Sequence, residues 1–542
     1  MRRKFSRNHS LSVVVSFIAI LILSVAFVAL AQMPGAGPEF SQHVVSPAQL
    51  ASDAQKPQVL FAKAVTYSSG PGEGPSAASV AIADLNGDGK LDLAVVNSGL
   101  GTVAVLLGNG NGTFQTAVPY STGGGDPNAV AIGDVNGDGK PDIVVANCVD
   151  GCQSDSEGSV SVLLGNGDGT FQAPVSYSVW AADSVAIADL NGDGYPDLVV
   201  AEYCYAEGCN TNEVSVLLNN GDGTFQPAVS YGVPGYLAFS VAIADVNNDG
   251  KPDLVVANGC LDYSCVSCCG SVGVLLGNGD GTFQPAVTYD AGSGGSWEAN
   301  SVAVADVNGD GYPDLVVADE GPWPFTHGAV GVLLGNGDGT FQPAVTYSSG
   351  AGGAYSVAVA DVNGDGKPDV VVADDDGKVG VLLGNGNGTF QKAVLYSSGG
   401  GPPEWWSTSS IAIGDVNGDG RPDLVVVDAC FSDCSNGGVG VLLNKTTRAI
   451  TTTTVTSSPN PSQVGQTVTF TATVSSTRPI PDGQIVAFST GKTKLGTATT
   501  TNGVASLNTS FSKAETYTIK ASYAGGGFFG ASSGTMKQVV EQ

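Results

Sequence analysis

The sequence predicts an all-β protein, a seven-bladed β-propeller followed by a β-sandwich, and three observations predict it. A nine-residue loop, Asp-x-Asn-x-Asp-Gly-x-x-Asp, starts at Asp84, Asp134, Asp189, Asp245, Asp306, Asp361 and Asp415, a spacing of 50 to 61 residues that suits one blade per copy. An outer-strand signature, Phe-x-x-Ala/Pro-Val/Ala-x-Tyr, begins at Phe61, Phe114, Phe171, Phe225, Phe283, Phe341 and Phe390, and a Val-x-Val-Leu-Leu strand also occurs seven times. The Asn-Gly hairpin that joins these two strands occurs only six times, because the last Val-Leu-Leu strand runs out at Asn444 and the first Phe strand has no hairpin before it. The two orphans complete each other. An N-terminal strand that finishes the last sheet closes the units into a ring and seals the edges of an open array.

The first residues read as a signal peptide over 1–31: Arg2, Arg3, Lys4 and Arg7, an apolar run from Leu11 to Val28, then Ala29-Leu30-Ala31 as an A-x-A cleavage site. The alternative is an uncleaved membrane anchor. Residues 32–57, with Pro34, Pro38, Pro47 and Pro57, read as a flexible leader. The propeller spans 58–444. Each unit holds four short strands, exemplified by Phe61–Tyr67, Ser79–Ala83, Leu93–Val96 and Val103–Leu107; apolar runs such as Ile143–Ala146 suit strands covered on both faces.

The loops carry the chemistry. Oxygen side chains at positions 1, 3, 5 and 9, with the carbonyl of position 7, make an oxygen-only shell of the kind that a hard cation such as Ca²⁺ requires. The candidate ligands are Asp84, Asn86, Asp88, Lys90 and Asp92; Asp134, Asn136, Asp138, Lys140 and Asp142; Asp189, Asn191, Asp193, Tyr195 and Asp197; and Asp245, Asn247, Asp249, Lys251 and Asp253. Asp306, Asn308, Asp310, Tyr312 and Asp314, then Asp361, Asn363, Asp365, Lys367 and Asp369, then Asp415, Asn417, Asp419, Arg421 and Asp423 complete the seven. Glycine at position 6, as in Gly89, permits the positive φ that folds the chain back around the ion. Position 12, where an EF-hand closes its shell, is apolar here (Val95, Val145). A solvated Asx turn explains one copy but not seven. The hairpin residues Asp168, Asp222, Asp280 and Asp338 are read as turn formers, since Asn takes their place at 111 and 387.

The net charge of −29 is uneven: residues 1–31 carry +4 and residues 449–542 carry +3, leaving −36 on residues 32–448. Such a surface repels nucleic acid and anionic membranes. About seven Ca²⁺ ions would offset 14 of those charges, and three carboxylates per loop repel one another without them. The cysteines fit an exported protein with local disulfides, Cys148/Cys152, Cys204/Cys209 and Cys430/Cys434. Cys260, Cys265, Cys268 and Cys269 share one loop with open connectivity, and a zinc site is the alternative there.

With those residues in view, 58–444 resembles the FG-GAP/VCBS-type repeat family, whose members include the integrin α-chain head and secreted bacterial and fungal propellers. The resemblance rests on the seven loops, each followed by a short apolar strand, and implies a calcium-stabilised propeller. The chain lacks the literal Phe-Gly and Gly-Ala-Pro motifs of integrins. After a linker at 445–450, residues 451–542 turn Thr-rich, with alternating strands at Thr451–Val455, Thr467–Val474, Ile485–Ser489, Gly503–Leu507 and Tyr517–Tyr523. This part resembles a bacterial Ig-like domain without the antibody cysteine pair.

The propeller's two ends differ. Cation loops and Asn-Gly hairpins share one; blade connections and cysteine loops share the other, together with Trp180, Trp297, Trp323, Trp405 and Trp406, read as lying in loops. These rings, with Tyr236, Phe239 and Tyr355 assigned to blade connections, are a candidate ligand platform for an extracellular glycan or protein; the alternative is local packing. The three histidines, His9, His43 and His327, accompany no nucleophile motif, so the expectation is a binding or adhesion protein at the cell surface or secreted, and not an enzyme. A structural spacer and a polysaccharide-degrading enzyme are the alternatives.

Overall fold

The computed structural model describes residues 60–70, 77–148, 157–202, 212–260, 270–292, 298–320, 328–399, 408–428 and 437–542. Within them the chain forms seven four-stranded antiparallel sheets and a two-sheet sandwich, with no α-helix. In the first sheet Ala77–Ala83, Asp92–Asn97, Thr102–Leu106 and Val118–Ser121 pair in that order from inside to outside. Five further sheets repeat this order. In the seventh, Thr408–Gly414, Asp423–Asp428 and Gly438–Leu442 are completed by Val65–Ser68 from the other end of the chain, in register Val65↔Val441 and Tyr67↔Val439. The innermost strand of each sheet packs on that of the next, and Thr408–Gly414 packs on Ala77–Ala83, so the ring closes. The predicted outer strand starts late: Phe61 makes only an isolated bridge to Asn444, and the ladder begins at Val65.

Why the outer-strand signature repeats is now visible. Each of its tyrosines meets the phenylalanine of the following sheet edge to face, from Tyr67–Phe114 (5.4 Å between ring centroids, 81° between planes) round to Tyr396–Phe61 (5.4 Å, 86°). Such a pair contributes about 0.5–1.5 kcal/mol beyond burial, and the motif places one at every sheet boundary. The second strands, Asp92–Asn97 and its equivalents, are buried along their whole length because each sheet is covered on both faces by its neighbours.

Sequence reading missed a second ring. Near the end of each second strand stands one buried polar residue: Asn97, Asn147, Glu202, Asn258, Asp319, Asp374 or Asp428. In the first sheet it joins two sheets, as Ser69 Oγ donates to Asn97 Oδ1 (2.5 Å) and Asn97 Nδ2 donates to the Ser69 carbonyl (3.1 Å). Where Asp replaces Asn, burial pushes the carboxyl up, to about 8 for Asp374 and about 7 for Asp428. At pH 3 and below both the folded and unfolded forms of Asp374 are largely protonated. As pH rises to about 8 only the unfolded chain readily loses the proton, so this group lowers stability across that window. Asp374→Asn, measured in chelator, should melt with the parent near pH 3 and be more stable above pH 8, by roughly 1–3 kcal/mol. Parallel melting curves across the whole pH range would contradict this account.

The C-terminal unit pairs Thr451–Ser458, Thr467–Ser476 and Val504–Ser510 in one sheet, and Ser462–Gln463, Ser532–Glu541, Thr516–Tyr523, Ile485–Thr490 and Thr493–Thr499 in the other. Phe470, Phe488, Val486, Ile519 and Ala521 fill the space between. Two long strands escaped the sequence reading. Thr493–Thr499 lies at a sheet edge with little burial to impose alternation, and Ser532–Glu541 buries a glutamine, Gln538, among its inward positions.

Candidate functional site

The seven nine-residue loops join the first and second strands of each sheet, and all seven lie among the described residues. In the first loop the Asp84 carboxylate accepts the N–H of Asp88 (3.1 Å) and of Gly89 (2.8 Å), and Asp88 Oδ1 accepts Lys90 N–H (3.0 Å). Asp92 is fully buried and accepts Leu85 N–H (2.9 Å) and, from the neighbouring hairpin, Gly108 N–H (2.6 Å). The position-1 and position-5 contacts recur in every loop, for example at Asp189 and Asp193, and position 9 accepts an amide from the hairpin, as at Asp197, or in the seventh loop from Asn444. Gly89 has φ +80°, the left-handed value the reading required.

The donor set is oxygen only, and each carboxylate oxygen that accepts one amide keeps a second lone pair. That chemistry fits a hard cation. Among the described residues no three Asp, Glu, His or Cys side chains converge as a preformed metal cluster, since the loop oxygens face backbone amides. Lysine takes part beyond its carbonyl: the ammonium groups of Lys90, Lys140 and Lys251 lie 2.8, 3.1 and 3.7 Å from the position-5 carboxylates, and Arg421 pairs with Asp419. Burial pushes the position-9 carboxyls up, to about 6 for Asp314 and about 7 for Asp369 and Asp423, against the pull of two backbone donors; the carboxylates at positions 1 and 5 add to the push. A bound cation would reverse that repulsion. The hairpin acids are turn formers as read: Asp168 Oδ1 accepts both the N–H and the hydroxyl of Thr170 (3.0 and 2.6 Å).

The opposite end holds a cavity of about 500 Å³, and every sheet contributes two consecutive residues to its wall. The ladder between first and second strands slips once in each sheet, between Ala77 and Ser79 in the first and between Ala354 and Ser356 in the sixth. The extra residue at each slip is Ala78, Asn128, Asp183, Phe239, Asn300, Tyr355 or Ser409, and all of them line the cavity. A bulge re-aims one side chain, here toward the ring axis. The following serines stitch the sheets together: Val80 N–H donates to Ser410 Oγ (3.4 Å) and Val241 N–H to Ser184 Oγ (3.3 Å). Glu298 and Glu320 complete the wall, which among the described residues holds no basic side chain. Tyr355 donates to Glu320 Oε1 (3.0 Å), Asn128 to Asp183 Oδ1 (3.0 Å), and burial raises Asp183 to about 7.

A model of the FG-GAP-like repeat matches residues 84–145, 148–200, 201–256, 257–317, 321–372 and 361–426. The chain belongs to the FG-GAP-like repeat family. Residues 455–541 match the bacterial Ig-like domain (group 3). Integrin alpha pat-2 of Caenorhabditis briggsae is 29% identical over 222 residues, covering 35% of this chain and 17% of that protein. Phosphatidylinositol-glycan-specific phospholipase D of Bos taurus is 32% identical over 167 residues, covering 28% of this chain and 19% of the relative. The alignments thus span less than a fifth of the length of these two relatives. The extracellular domain of a one component system of B. thetaiotaomicron covers 89% of this chain and 59% of that one, with a TM-score of 0.40 at 10% identity. FG-GAP repeats of this kind form extracellular ligand-binding or adhesion modules. Among the described residues no helix is long and apolar enough to cross a membrane.

Within this FG-GAP ring the aromatic platform is redrawn. Trp180 closes an outer strand, Val175–Trp180, with its side chain 55% exposed, and does not lie in a loop. Phe239 and Tyr355 also belong to strands, Tyr236–Ala244 and Ala354–Ala360, and face the cavity; Tyr236 opens the first of these strands. Trp297, Trp323, Trp405 and Trp406 lie outside the described residues, as do the signal peptide, the leader and the cysteine loops beyond Cys148 and Cys260. The signal for the cavity was in the sequence all along. The residue before each Ser/Ala-Val/Ile-Ala motif varies from repeat to repeat while the motif itself recurs.

Proposed function

We propose that the protein is a secreted or cell-surface binding module, not an enzyme, in which calcium in the seven loops holds one end of the ring and the cavity at the other end takes a glycan. One observation carries the reading: the position that bulges toward the axis changes from sheet to sheet, while the serine after it recurs in six of seven sheets. Amides and carboxyls at Asn128, Asp183, Asn300, Glu298 and Glu320 suit the paired donor and acceptor of sugar hydroxyls, and Phe239 and Tyr355 offer ring faces. The acids Asp183, Glu298 and Glu320 in the described wall disfavour sulfated and other anionic glycans.

A glycan array on the signal-free protein in calcium should show saturable binding to neutral or amino sugars. Glu320→Gln combined with Phe239→Ala should weaken it about tenfold to a hundredfold, with the melt unchanged. Loss on Trp405→Ala/Trp406→Ala instead would move the site to the rim. No binding by folded protein would favour a protein ligand or a spacer, and release of soluble fragments would restore the enzyme reading.

A further inference from the structure

The sixth and seventh cation loops differ from the other five in what lies against them. Phe528 of the C-terminal sandwich sits on Gly364, position 4 of the sixth loop, so closely that a Cβ there would fall 2.1–2.6 Å from its side chain. Arg478 Nη1 donates to the carbonyl of Asn363, position 3 of the same loop (2.8 Å), with its guanidinium 5.9 Å from the Phe528 ring centroid. At the seventh loop Arg448 donates through Nη2 to the carbonyl of Asp419, position 5 (3.0 Å), and through Nε to the carbonyl of Gly527 (2.9 Å). Gly420 and Gly527 approach so closely that a Cβ on either would lie within 2.5–2.6 Å of the other's backbone. Asn363 is 8% exposed as a result.

These contacts share a feature. The sandwich, through Arg478, and the linker before it, through Arg448, grip main-chain carbonyls of positions 3 and 5, whose side chains are cation ligands in our reading. Winding the loop around an ion turns those side chains inward and sets where the carbonyls point. Docking therefore reads loop conformation. The charge balance favours the pairing, as a C-terminal part of +3 meets a ring part of −36.

We propose that the sixth and seventh loops form a cation-dependent latch that holds the C-terminal sandwich on the ring, while the first five loops serve the ring alone. The inference goes beyond ligand binding and rests on the calcium assignment, so the test separates docking from metal. The linker carries Lys445 and Arg448, and its tryptic cleavage, together with the maximum dimension from small-angle scattering, reports release.

In calcium the full chain should be compact and its linker protected. Chelator, or Asp365→Ala in the sixth loop, should speed linker cleavage about tenfold to a hundredfold and lengthen the particle. Asp88→Ala in the uncovered first loop should do neither. Phe528→Ala with Arg478→Ala should release the sandwich even in calcium, with the ring's own melt retained. Gly364→Asn should do the same while leaving the loop's backbone feasible, since the fourth loop carries Asn248 at that position with φ 57°. If the contact variants release the sandwich but chelation and Asp365→Ala do not, the cation dependence is wrong. If the contact variants leave it docked, the latch itself is wrong.

Discussion

Removing calcium should lower the melting temperature of the ring by about 10 °C or more. One site held at a hundredfold excess over its dissociation constant stabilises the folded form by about 2.7 kcal/mol. Two or three such sites therefore approach the ~5–15 kcal/mol that separates a typical folded domain from its unfolded chain, and this ring has seven loops with the same oxygen donors. Without the ion each loop retains its Asx turns, the buried ties of its position-9 carboxylate and, in several copies, a solvent-exposed lysine pair of little weight. Calorimetry with verified metal analysis decides the matter: an unchanged melt in fully stripped protein would falsify the calcium assignment. Asp193→Ala should act locally, accelerating hydrogen exchange in Asp197–Glu202 before the equivalent strands of other sheets.

Phe61→Ala should cost about 3–5 kcal/mol, the range for emptying a well-packed aromatic site, and more than the same change at any equivalent phenylalanine. Phe61 is 1% exposed against 8% for Phe114, and it joins Leu60 in the core that includes Val371, Val381, Val426 and Leu442. It also supplies the closing Tyr396 pair and sits directly before the only strand that the seventh sheet draws from the other end of the chain. Elsewhere the phenylalanine is tied to its sheet by a short hairpin; here the tie spans more than three hundred residues, so local packing must replace chain connectivity. Chemical denaturation of Phe61→Ala beside Phe114→Ala tests this, and equal losses would mean that the closure carries no special weight.

Much of this was legible because the information is local and repeated. A strand between the neighbouring sheets of a ring must be apolar on both faces, so Ile143–Ala146 reads as buried from its composition alone. A loop with oxygens at positions 1, 3, 5 and 9 can use them only by folding on itself, and Asp84 to Asp92 do fold so, around their own amides. The missing hairpin at each end of the repeat was enough to predict that Val65–Ser68 pairs with Gly438–Leu442. Trp180 was misplaced because its strand runs further toward the connecting end than the outer-strand signature shows.

By itself, then, the sequence determined the strands, the loops, the closure and the sandwich that follows, since each depends on periodicity or on residues within a few positions of one another. What only the tertiary structure decided is where side chains from different sheets meet. A one-residue slip aims Asp183, Asn300 and Tyr355 at a common axis although they stand more than fifty residues apart in the chain. Phe528 and Arg478 find the sixth loop across an even longer separation. Local periodicity has no term for such meetings; they arise from the bulge that turns a residue out of register and from the curvature that brings seven sheets round one centre.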